Sequence, residues 1–241
     1  MSDSPITTIL FDLDGTLLPM DQKKFMEAYL VVFAQKCREL ELPVERSVQA
    51  LNTGFLAMLS NDGSMSNEKR FWQVFSEALG MDVDHRIADF TKFYSEEFTQ
   101  LKVVSKATPI SRNIVSEVRS KGYRTVLATT PVFPRPGTLE RISWAGMEPD
   151  WFELITTYED FSFAKPNLGY YGEILNHMQV SPQECLMVGN DVSEDLVAQQ
   201  LGMQVFLVTD HLINRSQGDT SAFMQGSLAD FYEYCKTLEP R

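Results

Sequence analysis

Apolar and β-branched residues recur along this chain in short, nearly continuous runs with stretches of helical period between them. The runs are Thr7–Phe11, Thr125–Thr129, Glu153–Thr157, Cys185–Val188 and Val205–Val208. Runs of this length without polar alternation suit strands buried on both faces, as in a parallel sheet covered by helices. Helical patterns at Ser111–Lys121, Leu168–Met178 and Ser193–Leu201 fall between them, with Gly122 and Gly202 where helices should stop. Ser181-Pro182-Gln183-Glu184 has the residues of a capping box with proline in the first helical position, so a short helical turn is expected before the Cys185 run. The alternation predicts an α/β protein with a Rossmann-like, doubly wound parallel sheet.

One interval breaks the alternation. Between the first run and Ser105 only helical signals occur. Met26, Leu30, Phe33, Cys37 and Leu40 form one apolar stripe. Phe71, Phe75 and Ala78, flanked by Val74 and Leu79, form a second, and Ile87, Phe90, Tyr94, Phe98 and Leu101 a third. A weaker helix is expected over Val44–Leu59. Such amphipathic helices pack as a small bundle. The aromatic residues here (Phe71, Trp72, Phe75, Phe90, Phe93, Tyr94, Phe98) stand at helical spacing and read as core rather than as a ligand box. The expected layout is an α/β core from residues 1–18 and 106–241, with residues 19–105 inserted as a helical unit.

A chain of 241 residues with 44% hydrophobic and 22% charged residues suits a globular protein with a sizeable core. No apolar run approaches the ~20 residues of a membrane span. The opening MSDSPITT lacks the basic start and apolar stretch of a secretory signal. Cys37, Cys185 and Cys235 are odd in number and far apart, which suggests neither a disulfide framework nor a zinc site, and the expected location is the cytoplasm. With 33 acidic against 21 basic residues the formal charge is −12, which argues against nucleic acid or an anionic membrane as partner. An anionic substrate would then need local cations at its site: a divalent metal, a lysine, or both.

Ligands of open parallel sheets bind beyond the carboxyl ends of the strands. The first run ends in Asp12 and Asp14, followed by Gly15-Thr16. The second ends in Thr129 and Thr130. Lys165 follows the third before Pro166, and the fourth passes Gly189 into Asn190, Asp191 and Asp195. Two carboxylates at the mouth of a buried strand are unfavourable without a cation. Mg²⁺ takes oxygen ligands and is often held by one or two carboxylates with substrate phosphate. A carboxylate can also attack phosphorus, a second acid can shuttle the proton, and a lysine and a hydroxyl can meet the phosphoryl oxygens. Taken singly, each residue has a plainer reading: a strand threonine, a surface lysine, acids near a helix N-terminus. His85, His177 and His211 lack metal-like spacing, and Asp62-Gly63 reads as a turn.

In this order the residues resemble those of the haloacid dehalogenase-like (HAD) hydrolases, most of which are phosphohydrolases. The resemblance covers about residues 5–18 and 106–210, and the helical insertion resembles the cap of one branch. Asp12-Leu13-Asp14-Gly15-Thr16 matches the family's first motif, DxDGT, letter for letter. The resemblance implies Asp12 as nucleophile and Asp14 as general acid/base, with the carbonyl of Asp14 also in a Mg²⁺ shell. It implies Thr129 and Lys165 at the phosphoryl group, and an acidic pair among Asn190, Asp191 and Asp195. Thr130 stands where the family has asparagine. A carboxylate holds Mg²⁺ better than a neutral amide, which favours Asp191 as metal ligand with Asp195 one turn on in support. The register with Asn190 facing the metal stays open and implies weaker binding.

The function implied is a Mg²⁺-dependent phosphohydrolase acting on a small phosphorylated metabolite through an aspartyl-phosphate. The cap would exclude water, and Pro19, Met20 and the loop Ser60–Asn67 are candidate substrate contacts. A phosphomutase of the β-phosphoglucomutase type is the nearest alternative. A non-catalytic binding or regulatory protein on the same fold is the alternative from another class. Dehalogenase chemistry does not require Asp14, and the phosphonate branch has alanine there. Substrate identity and oligomeric state are left open.

Overall fold

Six strands build one parallel sheet in the computed structural model, which describes residues 6–241; most of the stretch on which the absence of a secretory signal was read lies outside the described residues. They are β1 (Thr8–Phe11), β2 (Arg124–Leu127), β3 (Leu154–Ile155), β4 (Cys185–Gly189), β5 (Gln204–Val208) and β6 (Met224–Gly226), in the order β3-β2-β1-β4-β5-β6. The helices are α1 (Gln22–Glu39), α2 (Val44–Leu59), α3 (Asn67–Leu79), α4 (Ile87–Ser95), α5 (Pro109–Ser120), α6 (Arg135–Trp144), α7 (Leu168–Met178) and α8 (Leu228–Thr237). The core is α/β and Rossmann-like.

β1 illustrates why the sheet is buried on both sides. Ile9 and Phe11 join the core that includes residues of α5 and α8, and Phe11 meets Phe231 of α8 edge-on at 6.2 Å. Leu10, on the opposite face, packs into the core that holds Tyr170, Tyr171 and Ile174 of α7. Alternate residues of one strand thus serve two separate cores, and no position is left for a solvated side chain.

The strand order creates the crevice. The chain steps outward from β1 to β2 and β3, then returns to place β4 on the other side of β1. Connections leave the carboxyl ends of β1 and β4 in opposite directions, the topology at which ligand sites form. Phe11 lies in register with Leu127 and Val188, so residues 12, 128 and 189 follow side by side. The ladder continues one step further, with Asp12 N donating to Val188 O (2.8 Å) and Ala128 N to Phe11 O (2.7 Å).

Between β1 and β2 the described chain forms helices and no strand. Its aromatic side chains pack as core: Phe75, Phe93 and Phe98 are fully buried, and the Tyr29 ring lies within 6.5 Å of Phe25, Phe33, Phe55, Phe93, Tyr94, Phe98 and Phe133. The hydroxyls of Tyr29 and Tyr94 are 2.8 Å apart, so neither is buried without a partner. Phe133, from the β2–α6 connection, carries this packing across to the sheet side. The outgoing and returning chains meet where Met20 bridges Ser105 and Lys106 N donates to Pro19 O (2.9 Å).

Several elements differ from the sequence pattern for physical reasons. The third apolar stripe is broken at Glu96, and Glu97–Val104 continues as a 3-10 stretch. The Glu153–Thr157 run contributes only two residues to the sheet. Ser193–Leu201 is not an α-helix: a 3-10 turn covers Leu196–Leu201. Here Asp191 captures the amides of Ser193 and Glu194, and Asp195 captures that of Asp191, so side chains compete with the helical ladder. The helix α6, the edge strand β6 and the helix α8 were not anticipated. Pro131, Pro134 and Pro136 make the approach to α6 resemble a loop, yet Pro136 sits in its first turn, where the missing N–H is harmless. The three cysteines are buried and unpaired.

Candidate active site

Asp12 leaves β1 at the crevice and is 8% exposed. Its Oδ1 accepts a hydrogen bond from Lys165 Nζ at 2.9 Å, and the hydroxyl of Thr16 lies 3.2 Å from its Oδ2. Lys165, 1% exposed, also donates to Asp195 Oδ1 at 2.7 Å. Residues 153 and 30 positions apart from the lysine are thereby joined through one ammonium. Burial alone would lower the proton affinity of Lys165, but the flanking Asp12 and Asp195 carboxylates raise it well above the ordinary lysine value. Burial raises Asp12, with Lys165 opposing and Asp14 adding to the rise. Burial likewise pushes Asp195 up to about 6, against the pull of Lys165.

The β4 end is shaped by close approach. A Cβ on Gly189 would stand 2.1 Å from Asp195 Oδ2, so glycine is what lets Asp195 fold back under the strand. Gly15, at φ +91°, brings its backbone so near that a Cβ would lie 2.5 Å from Asn190 Nδ2. Asn190 joins the two loops: its Oδ1 accepts from Thr16 Oγ1 at 3.0 Å and its Nδ2 donates to His211 O at 2.6 Å. Asp191 Oδ1 accepts from Ser193 N, Ser193 Oγ and Glu194 N, and its Oδ2 accepts from Arg215 Nη1 at 2.6 Å. Arg215 itself is 60% exposed at its side chain.

Asp14 lies on the other side of Asp12. Its Oδ2 accepts from Nη1 of Arg141, a residue of α6 that is 1% exposed, while its Oδ1 is buried with no partner. Its carbonyl accepts from Gln22 Nε2 at 3.2 Å. Burial raises the Asp14 carboxyl, and Arg141 and Lys165 oppose the rise.

These groups open onto a cavity of about 180 Å³. Asp12, Asp14, Gln22, Thr129, Thr130, Arg141, Asn190, Asp191, Glu194 and Asp195 form its polar side, and Met20, Phe25, Met26, Val132 and Phe133 its apolar side. Thr129 is fixed through its carbonyl, which accepts from Thr156 Oγ1 and Tyr170 OH. Thr130 donates to Glu194 Oε2 at 3.0 Å, and burial pushes Glu194 up to about 7. Met20 lines the cavity, whereas Pro19 and the loop Ser60–Asn67 do not. Within that loop Asp62 Oδ1 caps Ser64 N in a turn, and Asn67 Nδ2 ties α3 to the carbonyls of Pro131 and Phe163, which is an architectural role.

Arg141, Glu194 and Arg215 are the site residues that no motif signalled. Glu194 stands between two acids already singled out, so its position was available. Arg141 lies in mid-helix and Arg215 in a polar stretch, and in sequence each looks like a solvated surface charge.

A hard divalent cation suits the residues present. The donors are all oxygen, and Asp14 Oδ1 is a buried carboxylate oxygen without a partner, which a cation or a donor would satisfy. Among the described residues no three His, Cys, Asp or Glu side chains stand together as a metal-binding group. Mg²⁺ does not ask for one, because it keeps waters and shares its shell with substrate phosphate.

A family model of the haloacid dehalogenase-like hydrolases matches residues 6–202. A protein of Bacillus subtilis (strain 168) assigned as a phosphatase, YhcW, is 26% identical over 204 residues, spanning 84% of this chain and 83% of its own. The fold is similar to that of a HAD phosphatase from Thermococcus onnurineus, with a TM-score of 0.59 and 18% identity over 98% of this chain and 100% of the other. It is also similar to that of the HAD-hydrolase YfnB from Bacillus subtilis, solved with magnesium bound, with a TM-score of 0.56 and 18% identity over 96% and 99% of the two chains.

Proposed function

The chain belongs to the haloacid dehalogenase-like hydrolases, and on that premise we propose that it is a Mg²⁺-dependent phosphatase of small phosphorylated metabolites, working through an aspartyl-phosphate on Asp12. The observation that carries this reading is the ammonium of Lys165 held between Asp12 and Asp195 at the switch point of the sheet. It places a fixed cation beside a buried carboxylate, where an incoming phosphoryl group needs both.

In the first step an oxygen of the Asp12 carboxylate bonds to phosphorus as the ester P–O bond breaks, and the departing oxygen takes a proton from Asp14. In the second, Asp14 accepts a proton from water, the water oxygen bonds to phosphorus, and the bond to Asp12 breaks. Phosphate leaves with Asp12 restored and Asp14 reprotonated. Lys165 and Thr129 face the phosphoryl oxygens, and Asp195 positions Lys165. Asp12, the carbonyl of Asp14 and Asp191 would hold Mg²⁺, with Asn190 beside them, and the ion neutralises phosphoryl charge when bound. YfnB, whose fold is similar, was solved with magnesium bound, which supports the choice of ion. Residues 19–105 act as the cap over the core formed by the remainder. Phe25 and Met26 of α1, which line the cavity, support this role.

The test is phosphate release from an aryl phosphate. The purified protein is expected to turn over with Mg²⁺, to stop with a chelator, and to resume on adding Mg²⁺ back. No release from an aryl phosphate or from a panel of small phosphate esters would overturn the reading.

A further inference from the structure

Arg141 is the only basic side chain among the described residues lining the cavity, against five acids: Asp12, Asp14, Asp191, Glu194 and Asp195. Lys165 is already shared by two carboxylates and Arg215 is engaged with Asp191. Arg141 is paired as well, with Asp14, but of the three cations it alone lines the cavity that an anionic substrate would enter, and the phosphoryl chemistry does not use it.

That cation is built in with some care. The guanidinium Nε donates to Gly137 O and Nη2 to Thr138 Oγ1, both at 3.3 Å within α6, and its Cζ lies over the Phe133 ring, 4.5 Å from the centroid. Two nitrogens are spent on anchoring, and Nη1 is left to face Asp14. On the other side of the pair Asp14 is held by one oxygen only, its second oxygen buried and unpartnered. A carboxylate held by one arm, with a lone buried oxygen, is a contact that another anion can replace. While the pair stands, Oδ2 of Asp14 is engaged with Arg141 and Oδ1 is buried, so neither oxygen meets a leaving oxygen.

We propose that Arg141 recognises a second anionic group on the substrate, and that this exchange releases Asp14 to the leaving oxygen. The inference rests on the phosphatase reading above and narrows it. The preferred substrates are short phosphomonoesters, or a phosphoanhydride, that carry a carboxylate or a second phosphate a few bonds from the oxygen that leaves. A substrate without that group leaves the Arg141–Asp14 pair closed and reacts slowly. Arg141 is a specificity-determining residue under this assignment, and Asp14 is gated by it.

The experiment measures kcat and KM of the full chain with Mg²⁺ on phosphoglycolate and ethyl phosphate, a pair of similar size differing in one carboxylate. Inorganic pyrophosphate serves as the second-phosphate arm and an aryl phosphate as the reporter of phosphatase activity. The wild type is expected to favour phosphoglycolate, pyrophosphate or both over ethyl phosphate by roughly 10- to 100-fold in kcat/KM, the range of a charge-assisted hydrogen bond. Part of the preference should lie in kcat, because release of Asp14 acts on the chemical step. Whichever arm is favoured identifies the anion as carboxylate or phosphate. Arg141→Met should bring the ratio close to unity, and Arg141→Lys should keep part of it. Should Arg141→Met not fold, Arg141→Lys carries the test, and a ratio in it equal to that of the wild type overturns the proposal. Turnover of the aryl phosphate with no preference for either anionic arm, or a preference that survives Arg141→Met, overturns the proposal and leaves the phosphatase reading standing. No turnover of any ester overturns that reading, and the proposal with it.

Discussion

Asp12→Asn is expected to lower kcat on an aryl phosphate by at least about 10⁴-fold, as loss of a nucleophile does elsewhere. The amide keeps the size of the carboxylate and an oxygen that can accept from Lys165 Nζ, so the cavity should keep its shape. What disappears is the charge and nucleophilicity needed to bond to phosphorus. Stability should move little or rise, because burial already disfavours the ionised Asp12 and the change removes that penalty. Activity and stability therefore separate: phosphate release should vanish while the thermal midpoint stays within a few degrees of wild type or above it. A variant that keeps activity within tenfold of wild type would contradict the assignment.

Lys165→Met is expected to damage stability as well as activity. The ammonium is 1% exposed and serves two buried carboxylates, Asp12 at 2.9 Å and Asp195 at 2.7 Å. Methionine fills the same space but leaves two buried acids facing each other with no counter-charge between them. Removing one partner of a buried ionic cluster typically costs about 3–5 kcal/mol. The loss should depend on pH. A carboxyl whose folded-state pKa is raised takes up a proton on folding, so the penalty is absent below its unfolded value and fully present above its folded one. Asp195 already sits near 6 with Lys165 in place, against an ordinary 3.8, and without the ammonium it and Asp12 should rise further. Urea unfolding in metal-free buffer should therefore show a larger deficit at mildly alkaline pH than below about pH 5. A deficit that is equal across that range, or absent, would mean that the two acids do not depend on Lys165.

Much of this molecule could be read before its fold was known, because the relevant signals are local. An apolar run that stops at Asp12 and Asp14 marks a strand end, and Gly189 followed by Asn190 and Asp191 marks another. The parallel sheet brings such ends together wherever the strands fall in the chain. Helical stripes around Phe33, Phe75 and Phe90 were legible for the same reason, since a repeat of three and four needs no tertiary knowledge. What was not legible depends on partners distant in sequence. Arg141 is one charged residue of a helix hidden behind prolines, and only the packing of α6 on Phe133 turns it toward Asp14. The 3-10 turn after Asp195 also escaped, because the competing acceptors Asp191 and Asp195 act through their own backbone neighbours. The C-terminal α8 was missed although Ser227 and Asp230 form a capping box at its start, and its short companion β6 is an edge strand with little apolar character.

The central claim is that phosphorus becomes bonded to an oxygen of Asp12. Asp14→Asn makes that bond observable, since an aryl leaving group departs without a proton while the second step lacks its base. Acid quenching of this variant during turnover of an aryl phosphate with Mg²⁺, followed by peptide mass analysis, should find one phosphoryl group on the peptide carrying Asp12, and none when Asp12 is also replaced by Asn. A phosphoryl group on another residue, or hydrolysis by the wild type with no phosphorylated Asp12 trapped in Asp14→Asn, would contradict it.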